Sequence, residues 1–133
     1  TLATVDAEGV PDARTLILKR IDAQGWAFAS TRSSRKAQQL ADTPAAALNF
    51  WWQPQVRAVR VRGHVVEATV EESAADLAAR SAAARADVAD GDWGLWRVVP
   101  SRIEFWQGSR DRRHTRVVYV PHGDRWTHTV TRD

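Results

Sequence analysis

The sequence predicts a mainly β domain with two helices, most simply an antiparallel barrel. Short β-rich segments alternate with turn residues at the spacing of hairpins, which is typical of antiparallel sheets. Only two segments have helical periodicity, too few for the helices that cover a doubly wound sheet. The 133 residues, 44% hydrophobic and 26% charged, suit a single domain over residues 1–133 with a core of its own.

The first half of the chain predicts five strands and one helix. In order they are strands over residues 2–5, 13–20 and 26–30, a helix over 33–41, and strands over 45–52 and 56–70. The first three strands are separated by turn residues and predict a meander. A serine before the helix can cap it. In the last strand the apolar residues and Gly63 alternate with basic ones, which indicates one buried face.

The second half predicts one helix and three strands. They are a helix over residues 69–86, a strand around 102–106, and a hairpin of strands over 115–120 and 125–131. Thr69 and Glu72 have the spacing of a capping box, and Asp76 and Arg80 are four residues apart and can pair. The helix is rich in alanine, so we expect it to bury little surface.

Composition excludes several classes of protein. The chain has no cysteine for disulfides or zinc–thiolate sites, and no apolar run approaches the roughly 20 residues that cross a bilayer. A net charge of +3 is too small to indicate nucleic acid by itself. We expect a cytoplasmic protein without a metal site. Because the sequence contains no methionine, even at position 1, we also expect further residues before Thr1.

Two stretches in the first half could bind an anion. Residues 14–19 place Arg14 and Lys19 at the ends of a β segment, although a solvated strand with charged ends gives the same pattern. Residues 30–36 are rich in hydroxyl groups and contain Arg35 and Lys36 at the start of a helix, where free N–H groups favour anions. A plain serine cap is an equal alternative for this second stretch.

Two further stretches are basic. Residues 56–64 carry arginines on one strand face near Trp51 and Trp52, which fits either an exposed strand or a nucleic-acid surface. Residues 103–116 read Ile-Glu-Phe-Trp-Gln-Gly-Ser-Arg-Asp-Arg-Arg-His-Thr-Arg. If the chain turns at Gly108-Ser109 and then resumes as a strand, Arg112, His114 and Arg116 share one face and form an anion site, although a basic strand that arises by chance gives the same pattern.

The last stretch resembles the C-terminal motif of the pyridoxamine 5′-phosphate oxidase family, Ile-Glu-Phe-Trp-Gln-Gly followed by Arg-Leu-His-Asp-Arg. The other three line up in order: residues 14–19 with Arg-x-Val-Leu-Leu-Lys, residues 33–36 with Ser-Arg-Lys, and the strand through Gly63 with Arg-Gln-Val-x-Val-x-Gly. The resemblance implies a split β-barrel, built as an antiparallel, Greek-key-like barrel, and a homodimer with FMN at the subunit interface.

The resemblance also implies roles for individual residues. Those that would bind FMN are Arg14, Thr15, Leu16, Ile17, Leu18, Lys19, Ser30, Arg35, Lys36, Trp106 and Arg116. Trp106 and Arg116 would reach FMN held by the partner subunit. Arg112 and His114 would be catalytic and face the substrate, with Lys19 and Arg80 as further substrate-binding residues.

The departures from the family pattern concern mostly the substrate side. Ala58 stands where a glutamine that contacts FMN is expected. The tyrosine, arginine and serine that hold the substrate phosphate fall on Asp76, Arg80 and Ala84, and an acid at Asp76 would repel a phosphate. A stretch after the second helix that supplies further contacts to the FMN phosphate is largely missing.

These observations predict an FMN-dependent oxidoreductase, an oxidase in which a hydride passes from a small substrate, phosphorylated or not, to flavin N5. A flavoprotein with a substrate other than a vitamin B6 phosphate, or one without catalysis, is the alternative. A basic barrel that binds nucleic acid is a distant third. We expect no membrane partner.

Overall fold

The computed structural model describes residues 1–132 and shows one nine-stranded antiparallel sheet with three short helices. The strands are β1 (Leu2–Val5), β2 (Pro11–Arg14), β3 (Leu18–Asp22), β4 (Gly25–Thr31), β5 (Ala45–Trp52), β6 (Arg57–Glu67), β7 (Trp93–Gln107), β8 (Thr115–His122) and β9 (Arg125–Arg132). The helices are α1 (Arg35–Asp42), α2 (Val70–Ala78) and α3 (Ala82–Ala86), with a 3₁₀ turn at Gln53–Gln55. The predicted class, mainly β with few helices, is confirmed.

The long strand β7 organises the sheet. The strand order is β2-β1-β5-β6-β7-β4-β3, and β8 and β9 extend from β7. The first part of β7 pairs with β4, its last part pairs with β8, and β6 pairs with β7 along almost its whole length. β4 therefore lies beside the first part of β7, and the hairpin of β8 and β9 lies beside its last part.

Two predicted elements are each divided in the structure. The strand expected over residues 13–20 is two strands, β2 and β3, because residues 15–17 leave the sheet and Leu16 packs against the core. Both hairpins of the predicted meander are present, since β2 pairs with β1 and β3 pairs with β4. They do not form one continuous meander, because β2 and β3 lie at opposite ends of the strand order. The helix expected over residues 69–86 is also divided, since Ser81 caps a new helix, α3, through the N–H of Ala84.

The core lies between the sheet and α1. Its fully buried side chains include Leu2, Phe28, Val61 and Val98. Gly63 lies at an irregularity between β6 and β7, where Ser101 is the unpaired extra residue and its hydroxyl donates to the carbonyl of Arg62 at 3.1 Å. Val61 and Val65 face the core, which confirms the predicted buried face of this strand.

Within residues 1–132, no helix is long and apolar enough to cross a membrane. The same residues contain no group of three or more His, Cys, Asp or Glu side chains that could hold a metal ion.

Candidate functional site

The first candidate group is a cluster of cations at the start of α1. Lys36 Nζ donates to Ser30 Oγ at 2.7 Å, and Ser30 Oγ lies 3.1 Å from Ser34 Oγ. Ser34 caps the helix through the N–H of Ala37, and the first turn contains no acidic residue. The free N–H groups of this turn and the Lys36 ammonium together favour an anion.

Arg14 is held close to this cluster by a network that the sequence did not reveal. Its guanidinium donates to Thr4 Oγ1 at 2.5 Å and to Gln39 Oε1 at 3.2 Å, and it lies 2.9 Å from the Asp12 carboxylate. Arg35 Nε lies 3.3 Å from the same carboxylate. The hydrogen bond from Gln39, with the charges of Arg14 and Arg35, holds the pKa of Asp12 below its usual value. Asp12 is therefore charged at neutral pH and orients both arginines.

The ammonium of Lys36 lies in a partly buried and positive environment. Burial, followed by the charge of Arg14, lowers the pKa of Lys36 from its usual value. An anion beside this ammonium would offset both effects, so the environment favours anion binding. Arg14, Arg35 and Lys36 carry three positive charges against one negative charge on Asp12, and the balance suits a phosphate dianion.

The second candidate group lies where β7 pairs with β8. Trp106 is the cross-strand partner of Arg116, so their side chains lie on the same face of the sheet. The Trp106 ring centroid lies 5.0 Å from that of His114 and 6.2 Å from that of Trp51. This face therefore combines an aromatic surface with a guanidinium.

Glu104 anchors the arginines of this face, a role the sequence pattern did not indicate. Its carboxylate is 4% exposed and lies 3.0 Å from Arg60 Nε, 3.0 Å from Arg102 Nη2 and 3.4 Å from Arg116 Nη1. Burial by itself would raise the pKa of Glu104, but hydrogen bonds from Arg60 and Arg102 and the charge of Arg116 hold it below its usual value. The only signal in the sequence was the position of Glu104 two residues before Trp106.

The segment that carries Arg112 is a loop rather than a strand, so the predicted shared face of Arg112, His114 and Arg116 is wrong. β8 begins at Thr115, and Arg112 has the left-handed φ of 64°. The N–H of Ser109 donates to His114 Nδ1 at 3.1 Å, and Ser109 Oγ donates to Asp111 at 2.6 Å. The turn chemistry of Ser109 and Asp111 replaces strand pairing here.

Lys19, on β3, belongs to a third group, which also contains Asp76 on α2 and Trp93 on β7. Its ammonium lies 3.3 Å from Asp76 Oδ1, and Asp76 Oδ2 accepts a hydrogen bond from Trp93 Nε1 at 2.9 Å. The predicted pairing of Asp76 with Arg80 is wrong, because α2 ends at Ala78 and the guanidinium of Arg80 lies over the Trp93 ring, 4.4 Å from its centroid. Ala84 lies in α3, beyond the break in the helix.

The structure thus brings the predicted residues into three groups rather than one. Arg14, Ser30, Arg35 and Lys36 gather at α1; Trp106, His114 and Arg116 gather at β7 and β8; Lys19 and Arg80 lie near Asp76 and Trp93. Between β2 and β3, Thr15 and Ile17 are exposed and Leu16 is half-buried, as is Leu18 at the start of β3. The exposed pair can offer an incoming molecule backbone groups and, at Ile17, an apolar surface.

The basic face of β6 is largely engaged within the chain. Arg57 donates to Gln107 and Arg60 pairs with Glu104. Trp51 contacts Trp106 instead of standing free beside the arginines. These contacts leave fewer unpaired cations for a nucleic-acid backbone than the sequence suggested.

Two family models match the chain. The model described as "Pyridoxamine 5'-phosphate oxidase" matches residues 1–107, and the one described as "Pyridoxine 5'-phosphate oxidase C-terminal dimerisation region" matches residues 93–130. Together they span all three groups of candidate residues.

Curated relatives are similar over nearly the whole chain. A pyridoxine/pyridoxamine 5′-phosphate oxidase of Bordetella petrii is 39% identical over an alignment 153 positions long, which covers 92% of this chain and 73% of the relative. The protein of the same name from Thermosynechococcus vestitus is 37% identical, with 95% of this chain and 74% of the relative covered. Since the alignment with the Bordetella protein is longer than the 133-residue chain, the relative contains internal segments that this chain lacks.

Solved structures share the fold at low sequence identity. PhzG from Burkholderia lata 383, solved in complex with tetrahydrophenazine-1-carboxylic acid, has a TM-score of 0.89 at 22% identity and covers 99% of this chain and 80% of its own. A pyridoxamine 5′-phosphate oxidase-related, FMN binding protein from Nostoc punctiforme has a TM-score of 0.84 at 18% identity, with coverage of 97% and 84%. A heme binding protein from Mycobacterium smegmatis is more distant, with a TM-score of 0.60 at 15% identity and coverage of 98% and 81%.

Proposed function

This chain belongs to the pyridoxamine 5′-phosphate oxidase family, and from that premise we propose that it is an FMN-dependent oxidoreductase that acts as a homodimer on a small organic substrate. The observation that carries the proposal is the cluster of Arg14, Ser30, Arg35 and Lys36 around an acid-free helix start. These residues would hold the phosphate of FMN. A phosphate accepts several hydrogen bonds at once, which suits a lysine, an arginine fork and free backbone N–H groups.

The cluster fits FMN on its own chemistry. Burial and the charge of Arg14 lower the pKa of Lys36, and a phosphate bound beside its ammonium would offset both effects. Asp12 holds Arg14 and Arg35 without cancelling the positive charge of the cluster. The exposed backbone at Thr15 and Ile17 lies next to Arg14 in sequence and would line the path of the ribityl chain and ring.

Trp106 and Arg116 would complete the site of the partner subunit. Both lie within the segment that matches the C-terminal dimerisation region. The same segment leaves large apolar side chains in contact with solvent: Phe105 is 43% exposed, Trp126 45% and Val130 57%. Such a patch is typical of a surface that a second subunit covers. We propose that dimer formation over this patch brings Trp106 and Arg116 against the FMN of the other subunit.

Bound flavin would supply the redox chemistry, as an acceptor of a hydride from the substrate. The chain would supply position and charge. Arg112 and His114 would bind an anionic or electron-rich part of the substrate, and the hydrogen bond from the Ser109 N–H fixes His114 Nδ1 as an acceptor. His114 Nε2 then carries the proton when the ring is neutral, and can donate it to a substrate oxygen.

A flavin-binding role without turnover is the second candidate. It is favoured by one observation, the Lys19–Asp76 ion pair, which occupies a lysine that would otherwise face the substrate. The two candidates differ in whether any small substrate reduces the bound flavin.

A flavin spectrum tests the proposal. We expect the purified protein to carry, or to take up, FMN with the absorption band of an oxidised flavin, and to take it up as a dimer. Anaerobic addition of pyridoxine, pyridoxamine or their 5′-phosphates should bleach that band if the chain is an oxidase of these compounds. A dimer that binds FMN but is bleached by none of the four would point to a different substrate or to none. Protein that binds no FMN, or that binds heme instead, would refute both.

A further inference from the structure

A cavity of about 290 Å³ between β3 and α2 is lined by charges that cancel. Its charged lining residues are Lys19 and Arg20 on β3 and Glu72 and Asp76 on α2. We propose that Asp76 makes this cavity a site for an unphosphorylated arm of the substrate, one that ends in a hydroxyl group, and excludes a phosphate ester. The inference rests on the proposed function and on the substrate-binding role that the family resemblance implies for Lys19, and it assigns a specificity-determining role to Asp76.

Each cation of the cavity is already paired with a carboxylate. Lys19 Nζ lies 3.3 Å from Asp76 Oδ1, and Arg20 Nη2 lies 3.6 Å from Glu72 Oε1. Arg20 is paired a second time, with Asp22 at 2.7 Å. A phosphate dianion would have to displace these carboxylates or approach them as a like charge, and either costs affinity. A hydroxyl group meets no such cost, since it can donate to Asp76 and accept from Lys19.

Asp76 cannot easily turn away to admit a phosphate. Its side chain is only 14% exposed, and its second oxygen accepts the hydrogen bond of Trp93 Nε1 at 2.9 Å. Trp93 is itself 8% exposed and lies under the guanidinium of Arg80. Arg80 is thus stacked on the indole that fixes Asp76. The carboxylate is therefore a fixed part of the wall.

The backbone of β3 directs Lys19 to this carboxylate. The pairing of β3 with β4 shifts register between Leu18 and Arg20, which leaves Lys19 as the extra residue of a bulge. Bulges redirect side chains at binding sites. The pairing of Lys19 with Asp76 on α2 therefore follows from the backbone geometry of β3 and not from the chance position of a flexible side chain.

Glu72 stays ionised over a wide range of pH. The hydrogen bond from Arg97 lowers the pKa of Glu72 to about 2. The cavity therefore holds a second carboxylate at any pH at which the protein would act, and protonation does not relieve the repulsion of an incoming phosphate.

The variant Asp76→Asn tests the role of the charge. Asparagine keeps an oxygen for the Trp93 N–H and nearly the same volume, but removes the negative charge. The probes are pyridoxine and pyridoxine 5′-phosphate, titrated calorimetrically into the flavin-loaded dimer. We expect the wild type to bind pyridoxine at least as tightly as its phosphate, and Asp76→Asn to shift the ratio of the two affinities toward the phosphate by about tenfold or more. The matched control is Glu71→Gln, an exposed carboxylate on the same helix that does not line the cavity.

Two results would overturn the inference: a wild type that binds the phosphate more tightly than pyridoxine, or a ratio that Asp76→Asn changes no more than Glu71→Gln does. The calorimetric readout needs no turnover. If the protein fails to bind FMN, the proposed function falls, and the same titrations on the flavin-free protein still decide whether Asp76 excludes phosphate. If FMN binds and the ratio does not move, only the role of Asp76 falls.

Discussion

Glu72 Oε1 lies 2.6 Å from Nη2 of Arg97, and this ion pair joins the first turn of α2 to β7. Arg97 is 3% exposed, whereas Glu72 is 32% exposed, so the pair reaches from the interior to the surface. Glu72 also closes the capping box, with its carboxylate accepting the N–H of Thr69 at 3.1 Å. The side chain of Glu72 thus both caps α2 and compensates the positive charge of the buried Arg97 guanidinium.

Replacement of Glu72 by glutamine should destabilise the protein, because it leaves the Arg97 charge buried without its main partner. We expect the melting temperature at pH 7 to fall by roughly 5 °C. The folded-state pKa of Glu72 is lowered to about 2, so its contribution is fully present above the unfolded-state pKa of about 4.3 and is lost as pH falls between these values. Thermal melts from pH 7 to pH 2 should therefore show a steeper acid loss in wild type than in Glu72→Gln.

The control for this change is Glu71→Gln, the exposed neighbour on the same helix. It should leave both the melting temperature and its dependence on pH nearly unchanged. Equal effects of the two substitutions would show that the Arg97 pair contributes no more than a surface charge does.

Gly63 should tolerate no side chain. A Cβ at this position would overlap the carbonyl oxygen of Val99 on the neighbouring strand. Because the obstacle is backbone and cannot rotate away, we expect Gly63→Ala to cost about 3 kcal/mol in the free energy of unfolding, measured by denaturant titration. Gly9 is the comparison: it has a φ of +81° but open space around it, so Gly9→Ala should cost only about 1 kcal/mol of backbone strain. Similar costs at both positions would argue against the steric explanation.

The sequence predicted most strands because alternation and turn residues are local signals. It failed where tertiary packing decided the outcome. Residues 15–18 are all apolar or β-prone, and nothing local indicates that residues 15–17 leave the sheet while Leu16 reaches the core. The break between α2 and α3 did have a local signal in Ser81, a good capping residue within an alanine-rich helix.

The candidate site was predicted by motif and only partly by geometry. The cluster at α1 follows from the hydroxyl-rich segment before a helix, a signal visible in the sequence. Asp12, Gln39 and Glu104 were missed because each acts on arginines distant in the chain, and single carboxylates and amides have no pattern of their own. The strand predicted through Arg112 failed because Asp111 and Ser109 form a turn there.

Lys36 should make FMN binding dependent on pH. Because burial and Arg14 lower its pKa, the ammonium is lost at a lower pH than in an ordinary lysine. The dissociation constant of FMN, measured by flavin fluorescence quenching, should therefore rise at alkaline pH, beginning at a lower pH than the loss of charge from an ordinary lysine would cause. Lys36→Gln should weaken binding by about tenfold or more at pH 7 and remove this dependence, whereas Lys36→Arg should remain charged and give a flat profile. A wild-type profile as flat as that of Lys36→Arg would contradict the assignment.

Arg85→Gln serves as the control for loss of a basic charge. Arg85 lies on α3 with its guanidinium bound to the carbonyl of Ala78, outside the cluster. Its replacement should leave FMN affinity within about twofold, a difference of roughly 0.4 kcal/mol.

Arg116→Ala should weaken FMN binding, and Arg102→Ala provides a matched comparison. Both arginines pair with Glu104 Oε2, at 3.4 Å and 3.0 Å respectively, so either substitution removes one partner of the same buried carboxylate. Only Arg116 is the cross-strand partner of Trp106. We expect a loss of FMN affinity of about tenfold or more for Arg116→Ala and little change for Arg102→Ala, at similar melting temperatures. Equal losses in both variants would assign the effect to Glu104 and not to a flavin contact.

Arg112→Asn should impair turnover more than flavin retention. Arg112 has a φ of 64°, a conformation that asparagine adopts more readily than most residues, so this substitution removes the charge while keeping the loop. If Arg112 positions the substrate, the rate of anaerobic flavin reduction by the active substrate should fall by about ten- to a hundred-fold, with the FMN dissociation constant unchanged. Arg110→Asn, in the same loop, should change neither quantity. A loss of FMN affinity that parallels the loss of rate would instead place Arg112 on the cofactor.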